Sequence, residues 1–526
     1  MTTTAPPPGE PGATPEAGAS TEPPALDRRV LLVAGVVVLG AIMSILDITV
    51  VSVAQRTFQA DFDATPAQAA WTMTGYTLAL ASVIPLTGWA ADRFGTKRLY
   101  MLAVLLFTIG SVLCAAAWDI SSLVAFRVIQ GLGGGMLMPL GMTIMTRAAG
   151  PERIGRVMAV LGVPMLLGPI FGPILGGWLI DIASWHWIFL INPPIGIGAL
   201  VYAYVVLPSD APTPSETFDF VGMLLLSPGL AAFLYGISMI PETGTFADAE
   251  VIAPAVVGVA LIVAFVLRTL RGRIEHPLID LKLFTNPTLT IAVISMMLFA
   301  IAFFGAGLLF PSYFLQVRGE STLDAGLLLA PQGIGAMLTM PIAGMLVDRI
   351  GPGRIVMTGI AVITVGLGMF STLDAQTSYG FLLAALFVMG LGMGGTMMPI
   401  MTAALQTLKD HEIARGSTLM NVAQQTAASI GTAIFTVVLT NGILDRPDAA
   451  TVLAAQREAE RDPSLLAALT PDQLGAGLEA MAQAFGNAFL LATVLVALVL
   501  VPAWFLPRRR RPTPDGETAP AAVVLH

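Results

Sequence analysis

Apolar stretches of about 20 residues recur from Val30 to Leu506, each ended by a short polar or basic segment. An α-helix rises about 1.5 Å per residue, so a run of that length crosses a hydrocarbon core of about 30 Å. The pattern predicts spans at about 30–55, 67–91, 99–117, 120–146, 155–182, 186–207, 219–240, 250–270, 287–316, 324–347, 354–373, 378–405, 413–440 and 482–506. The chain therefore reads as an all-α polytopic membrane protein of fourteen spans. Only 11% of its 526 residues are charged and 55% are hydrophobic, against about 25% charged in a soluble domain.

Basic residues set the expected orientation, because short cytoplasmic loops collect Lys and Arg. With the N-terminus inside, twenty of the 26 fall on the cytoplasmic side and five outside, while Arg127 lies within a span. Both termini are thus expected in the cytoplasm. The net charge of -8 is carried mostly by loops and tails and says little about cargo. The first residues, rich in Pro, Ala, Gly and Thr, lack the basic start of a cleaved signal and read as a disordered tail.

The chain also repeats itself. "GWAADRFGTKR" from Gly88 returns as "GMLVDRIGPGR" from Gly344, and "GLGGGMLMPL" from Gly131 resembles "GLGMGGTMMPI" from Gly390. The first match follows the second span and its copy the tenth, which gives two six-helix halves with two helices inserted between them. The expected organisation is a cytoplasmic tail 1–28, an N-terminal half 29–208, inserted helices 209–275, a C-terminal half 276–507 with an external loop 441–481, and a basic tail 508–526. The external loop is Ala, Leu and Glu-rich, which favours helix, and "RIEHPLIDLKLF" suggests a helix lying at the membrane interface. Repeated halves around a central site suit a transporter that works by alternating access.

Against this background a carboxylate in "SILDITVVS" stands out. Asp47 is the only ionisable group between Val30 and Gln55, and Arg127 is the only other charge well away from a span end. Both sit at about 10–12 Å from the outer ends of their spans, so they can meet. An arginine neighbour favours the charged carboxylate and desolvation the neutral acid, so a cavity alternating between wet and dry could load and unload a proton. The alternative is a permanent buried pair that fixes helix packing.

Four further groups of residues carry expectations. Gly88, Asp92, Arg93, Gly95 and Lys97, with Asp348 and Arg349 in the repeat, read as a cytoplasmic gate built on charge pairs and a glycine turn. In "GVPMLLGPIFGPILGGW", Gly162 opens a run in which Gly168, Gly172 and Gly176 share a helix face, while Pro169 and Pro173 remove ladder hydrogen bonds. That points to a tight, bendable helix contact. Gln130, Gln332, Asn421, Gln424 and Gln425 are polar groups inside spans and are candidates for a substrate cavity. The single Cys114 excludes an intrachain disulfide and a cysteine metal cluster, and no metal site is expected. No Walker lysine loop, HExxH or GxSxG is present, so no enzyme activity is signalled.

"LDITVVSVA", "GWAADRFGTKR", "RVIQGLGGG" and "GVPMLLGPIFGPILGGW" together resemble the motifs of the major facilitator superfamily, in particular its fourteen-span drug/proton antiporters of the EmrB/QacA type. "SWHWIFLINPPIG", "FDFVGMLLL" and "HPLIDLKLF" are similar to segments of the same branch. The resemblance implies the major facilitator fold, proton coupling through Asp47 and Arg127, gating by Asp92 and Arg93, and an antiporter hinge at Gly168 and Pro169. Thr96 stands where the loop motif commonly has Arg, and the penultimate span lacks the acids of relatives that extrude dications. The expected cargo is therefore lipophilic and neutral or monocationic.

These readings converge on proton-coupled efflux, with export of one physiological lipid, siderophore or metabolite as the alternative. Expected partners are lipophilic small molecules, protons and the lipid bilayer of a bacterial inner membrane. No cofactor and no nucleic acid are expected, and an accessory periplasmic partner is left open.

Overall fold

In the computed structural model, the residues described are 27–149, 153–209, 217–240, 245, 247–271, 274, 277–409, 411–459 and 469–508. Among them all regular structure is helical. Thirteen helices are long and apolar enough to cross a membrane. A further 29-residue helix, Ile154–Ile182, matches the remaining predicted span, with some of its side chains outside the described residues.

Local chemistry sets the helix ends. Asp27 accepts a hydrogen bond from the Val30 N–H and starts α1 (Arg28–Val53), a bond that holds this exposed carboxyl below its ordinary range. After the short α2 (Gln55–Asp61), Thr65 and Gln68 form a reciprocal capping box for α3 (Pro66–Phe94), with Pro66 in its first turn. Between α3 and α4 (Thr96–Ala115) a single residue turns the chain: Gly95, at φ 90°. Its repeat partner Gly351, at φ 86°, performs the same turn further along. Only glycine adopts that backbone without a Cβ penalty, which accounts for the last glycine of both repeat copies.

α5 (Ile120–Ala149) and α6 (Ile154–Ile182) follow. The next predicted span is broken, into α7 (His186–Leu190) and α8 (Asn192–Val206), because Pro193 and Pro194 cannot donate to the helix ladder. α9 (Phe220–Ser238) and α10 (Ala249–Leu270) form a tight pair. The Arg268 Nη1 to Asp219 Oδ1 contact of 2.7 Å joins the α10 end to the α9 start.

The expected interfacial helix near 281 is a five-residue 3-10 turn, Leu281–Thr285, started by Asp280 and stopped ahead of Pro287. Leu278, Ile279 and Leu283 are buried, so this segment packs on the bundle. Residues 272, 273, 275 and 276 of the same stretch lie outside the described residues.

The later helices are α11 (Pro287–Gln316), α12 (Thr322–Leu328), α13 (Ala330–Ile350), α14 (Pro352–Phe370), α15 (Tyr379–Met393), α16 (Met397–Leu405), α17 (Ile413–Leu444), α18 (Pro447–Ala459), α19 (Pro471–Leu498) and α20 (Leu500–Ala503). In the stretch expected as the external loop, 441–481, the described residues are mostly helical. α17 runs on to Leu444, and α19 starts at Pro471 under a Thr470–Gln473 capping box. α18 packs between them with Ala449, Val452 and Leu453 buried. Of this loop, residues 460–468 lie outside the described set, as do the tails 1–26 and 509–526.

Two seams join the N-terminal and C-terminal helices: α6 packs between α1 and α13, and α3 packs against α17. α9 covers the α3–α17 seam, where the Trp71 and Tyr235 rings stack at 5.5 Å.

Candidate functional site

The structure brings Asp47 and Arg127 together. The Arg127 guanidinium donates from Nη1 to Asp47 Oδ2, with both side chains about 1% exposed. The arginine is fixed by more than that charge. Its Nε donates to the Thr72 carbonyl at 3.1 Å, its Nη1 donates to Gln130 Oε1 at 2.7 Å, and the Tyr76 ring lies 4.1 Å from its central carbon. Ser44 Oγ in turn lies 3.2 Å from the Tyr76 hydroxyl. The Thr72 carbonyl, Gln130 and the Tyr76 ring therefore hold the guanidinium by contacts that do not depend on the charge of its carboxylate.

The second carboxylate oxygen, Oδ1, accepts from Gln130 Nε2 at 2.7 Å and from Asn192 Nδ2 at 3.5 Å. Ser111 Oγ accepts from both amides, each at 2.9 Å. Gln130 was expected in a substrate cavity; it lies instead fully buried in the shell of the ion pair, one helical turn beyond Arg127 on α5. Asn192 and Ser111 carry no charge, so the scarcity of ionisable residues that revealed Asp47 could not reveal them. Their only sequence signal is polarity inside an apolar run, in Asn192 next to two prolines.

The glycine helix lies directly on the helix that carries Asp47. A Cβ on Gly168 would overlap Ile45, one on Gly172 would overlap Thr49, and one on Gly176 would come within 3.1 Å of Val50. Asp47 lies between those positions on α1, so the α1–α6 distance sets where the carboxylate sits. Gly162 faces the opposite partner, α13, where a Cβ would come 2.5 Å from the Met340 methyl. Pro169 and Pro173 lie within α6, with their side chains outside the described residues.

At the basic end of the bundle the two repeat copies do matching work. Asp92, at the end of α3, lies 3.4 Å from Arg147 Nη2 and 3.8 Å from Arg415 Nε at the start of α17. Thr96, in the place of the commoner arginine, accepts from Arg147 Nη1 at 3.1 Å. Asp348, at the end of α13, accepts from the Gly155 N–H at 2.9 Å and the Arg156 N–H at 3.3 Å, with Arg156 Nε at 3.7 Å. Asp348 therefore meets the first turn of α6, where unpaired N–H groups and the helix dipole favour negative charge, whereas Asp92 meets the Arg415 side chain in the first turn of α17. Gly88 and Gly344, one turn earlier, make room: a Cβ on Gly88 would come 3.0 Å from Thr418 Oγ1, and one on Gly344 would come 2.9 Å from Ala159.

Cations on these acids include Arg147, Arg156 and Arg415, which lie outside the repeated motif. Of the basic residues within the motif, Arg93 is half-buried and Arg349 exposed. Lys97 donates to the Tyr204 and Leu207 carbonyls at 2.7 and 2.6 Å and so caps the end of α8.

The remaining cavity candidates are dispersed. Asn421 Nδ2 donates to Met142 Sδ at 3.1 Å across the α17–α5 contact and to the Ser417 carbonyl at 2.8 Å. Gln332 donates to Met393 Sδ at 3.8 Å within the C-terminal helices. Gln424 is half-buried with Oε1 unpartnered, and Gln425 is half-buried beside it. These amides line neither the 410 Å³ cavity beside Asp324 and Pro331 nor the 160 Å³ one between α3, α9 and α17. Among the described residues no group of three or more His, Cys, Asp or Glu is placed to hold a metal ion.

Residues 37–432 match the model of the Major Facilitator Superfamily. The chain belongs to that superfamily. Over 515 residues it is 51% identical to the Multidrug resistance protein B homolog of Mycobacterium tuberculosis, with 96% of this chain and 95% of that protein covered. It is 32% identical over 422 residues to the Multidrug export protein EmrB of Haemophilus influenzae, covering 80% of this chain and 82% of that one. Among solved structures, the human organic anion transporter MFSD10 superposes with a TM-score of 0.57 at 16% identity over 90% of this chain and 100% of that one. The proton:xylose symporter XylE superposes with a TM-score of 0.55 at 15% identity over 90% and 96%. These last two likenesses speak for the fold. As a member of the Major Facilitator Superfamily the protein is a transporter and not an enzyme, spanning a bacterial inner membrane many times.

Proposed function

We propose that this transporter exports amphipathic, lipophilic small molecules in exchange for protons, by alternating access. The observation that carries the reading is the buried Asp47–Arg127 pair with its amide shell. As drawn, every donor on Asp47 suits a carboxylate anion. Protonation removes the charge that holds Arg127 and the amides, while Arg127 keeps Thr72 and Tyr76. The carboxyl and its helix are then the free partners, and α1 is the helix that packs against the α6 glycines. A proton on Asp47 thereby alters the α1–α6 contact, and α6 reaches across to α13 at the seam. Release of the proton restores the pair.

Asp92 and Asp348 hold the cytoplasmic ends of the two seams closed in this conformation. Opening there requires the Asp348 cap and the Asp92 ion pairs to let go together, which suits an all-or-none change of access. The names of the relatives, a multidrug resistance protein homolog and a multidrug export protein, support drugs as cargo. Asp47 as the one embedded acid favours neutral or monocationic compounds. No bound cofactor has a part in this scheme, since the proton gradient supplies the driving force.

The test uses inverted membrane vesicles with an inside-acid gradient and a pH-sensitive dye. Ethidium added to wild-type vesicles dissipates the gradient, and in Asp47→Asn vesicles it does not. Equal dissipation in both contradicts the reading.

A further inference from the structure

Asn192 ties the Asp47 carboxylate to a break in a helix. Its side chain is 3% exposed and donates both to Asp47 Oδ1 and to Ser111 Oγ. Gly196, one turn later, lies so close to Thr108 that a Cβ would overlap that side chain. α8 therefore lies directly on α4, with Asn192 over Ser111 and Gly196 over Thr108.

The three donors on Asp47 differ in freedom. Arg127 is held by Thr72 and Tyr76. Gln130 is engaged at both ends: Nε2 donates to Asp47 and Ser111, while Oε1 accepts from Arg127 and from Cys114 Sγ at 3.5 Å. It stands on α5, which runs without a break from Ile120 to Ala149. Asn192 instead opens α8 at the junction with α7, ahead of Pro193 and Pro194. Those prolines leave the Phe189 and Leu190 carbonyls without their usual ladder donors, and a helix with such a gap bends there at low cost. Interrupted helices of this kind are found in membrane proteins where a group must move against a buried site.

A neutral carboxylic acid carries an O–H that needs an acceptor, so at least one of these N–H donors must withdraw or turn when Asp47 takes a proton. We propose that Asn192, anchored by Ser111, is a positioning residue for the Asp47 carboxylate, and that the Pro193–Pro194 break lets α8 carry this amide on and off it. The proposal rests on the proton-coupling reading above. The titratable and charged groups facing Asp47 are Arg127 from α5, Tyr76 from α3 and Cys114 from α4; α6 and α8 present none to it among their described residues.

The experiment measures ethidium-induced proton release from full-length protein in liposomes as a function of pH. It compares wild type with Asn192→Ala, Asn192→Ser and Ser111→Ala. Losing an N–H donor leaves the carboxylate less well stabilised, so it holds its proton to a higher pH. Asn192→Ala is expected to move the midpoint up by roughly 0.4 to 1 pH unit. Ser111→Ala moves it less in the same direction, and Asn192→Ser, which keeps a hydroxyl donor, partly restores it. A packing role alone lowers the amplitude at every pH and leaves the midpoint in place. An unmoved midpoint in Asn192→Ala therefore overturns the proposal, and if Asn192→Ala does not reach the membrane, Asn192→Ser, expected to shift part of the way in the same direction, decides in its place. Proton release that persists in Asp47→Asn sinks the coupling reading itself. A silent Asp47→Asn with unmoved midpoints sinks only the role of Asn192.

Discussion

Asp348 Oδ1 accepts the Gly155 N–H at 2.9 Å, so a carboxylate ending one helix caps the start of another that lies 193 residues away in sequence. The acid is 3% exposed. Its charge is therefore poorly screened, and two of its partners are backbone N–H groups that cannot leave without parting the seam.

That relationship makes the cap a direct contributor to the closed seam at the basic end of the bundle. An N-cap carboxylate is worth about 1 kcal/mol, or about fivefold in an equilibrium. In Asp348→Ala, a cysteine placed at buried Ala159, opposite Gly344, is expected to react with a cytoplasmic maleimide about five times faster than in the parent. Equal rates would mean that the seam is held elsewhere.

The α1–α6 contact makes a second prediction by contrast between neighbours. Gly172 has no room for a Cβ beside Thr49, whereas Gly177 has nothing within 4 Å. Gly172→Ala is expected to cost about 1–3 kcal/mol of packing and to cut transport severely at unchanged membrane abundance, with partial recovery on adding Thr49→Ala. Gly177→Ala is expected to transport normally. Matching losses at the two glycines would contradict a contact-specific role.

Arg127→Lys is expected to fail as a conservative change. The guanidinium bonds Asp47, Gln130 and Thr72 at once and stacks on Tyr76, and an ammonium cannot reproduce that fork. Uphill transport is expected to fall by at least about tenfold, since losing hydrogen bonds to a buried charged group costs about 1.5–3 kcal/mol each. Wild-type uphill rates in Arg127→Lys would reduce the pair to a point charge.

Surface carboxylates make a prediction about pH. The Val30 N–H holds Asp27 below its ordinary range, and the Ser122 N–H does the same for Asp119. A depressed carboxyl stabilises the fold above its unfolded value and loses that contribution only as pH falls through the lower folded value. Between about pH 5 and 8 both caps stay charged. Changes in transport across that window should persist in the double variant Asp27→Asn, Asp119→Asn; their disappearance would place the pH sensor at the surface.

Much of this arrangement is legible in the residues. A charge inside a hydrocarbon-length run costs too much to be incidental, so Asp47 and Arg127 could be singled out and even matched in depth. A glycine in each repeat copy marked a backbone only glycine adopts. Other features leave weaker traces. Arg147, Arg156 and Arg415 are hidden because cytoplasmic loops collect arginine for topological reasons alone. Gln130 looks like any embedded amide until the fold shows that it shares the Asp47 shell. The broken spans at 191, 329 and 394–396 follow from Pro193, Pro331 and the glycines from 390 to 395, which hydropathy averages away.

The most direct test of proton coupling compares two modes of transport in liposomes holding purified protein. Downhill exchange of labelled ethidium needs only alternating access, whereas accumulation against its gradient also needs the proton. Asp47→Asn is expected to keep exchange and lose proton-driven accumulation. Accumulation at wild-type levels in Asp47→Asn would show that the proton travels by another route and that Asp47 serves only to hold Arg127 in place.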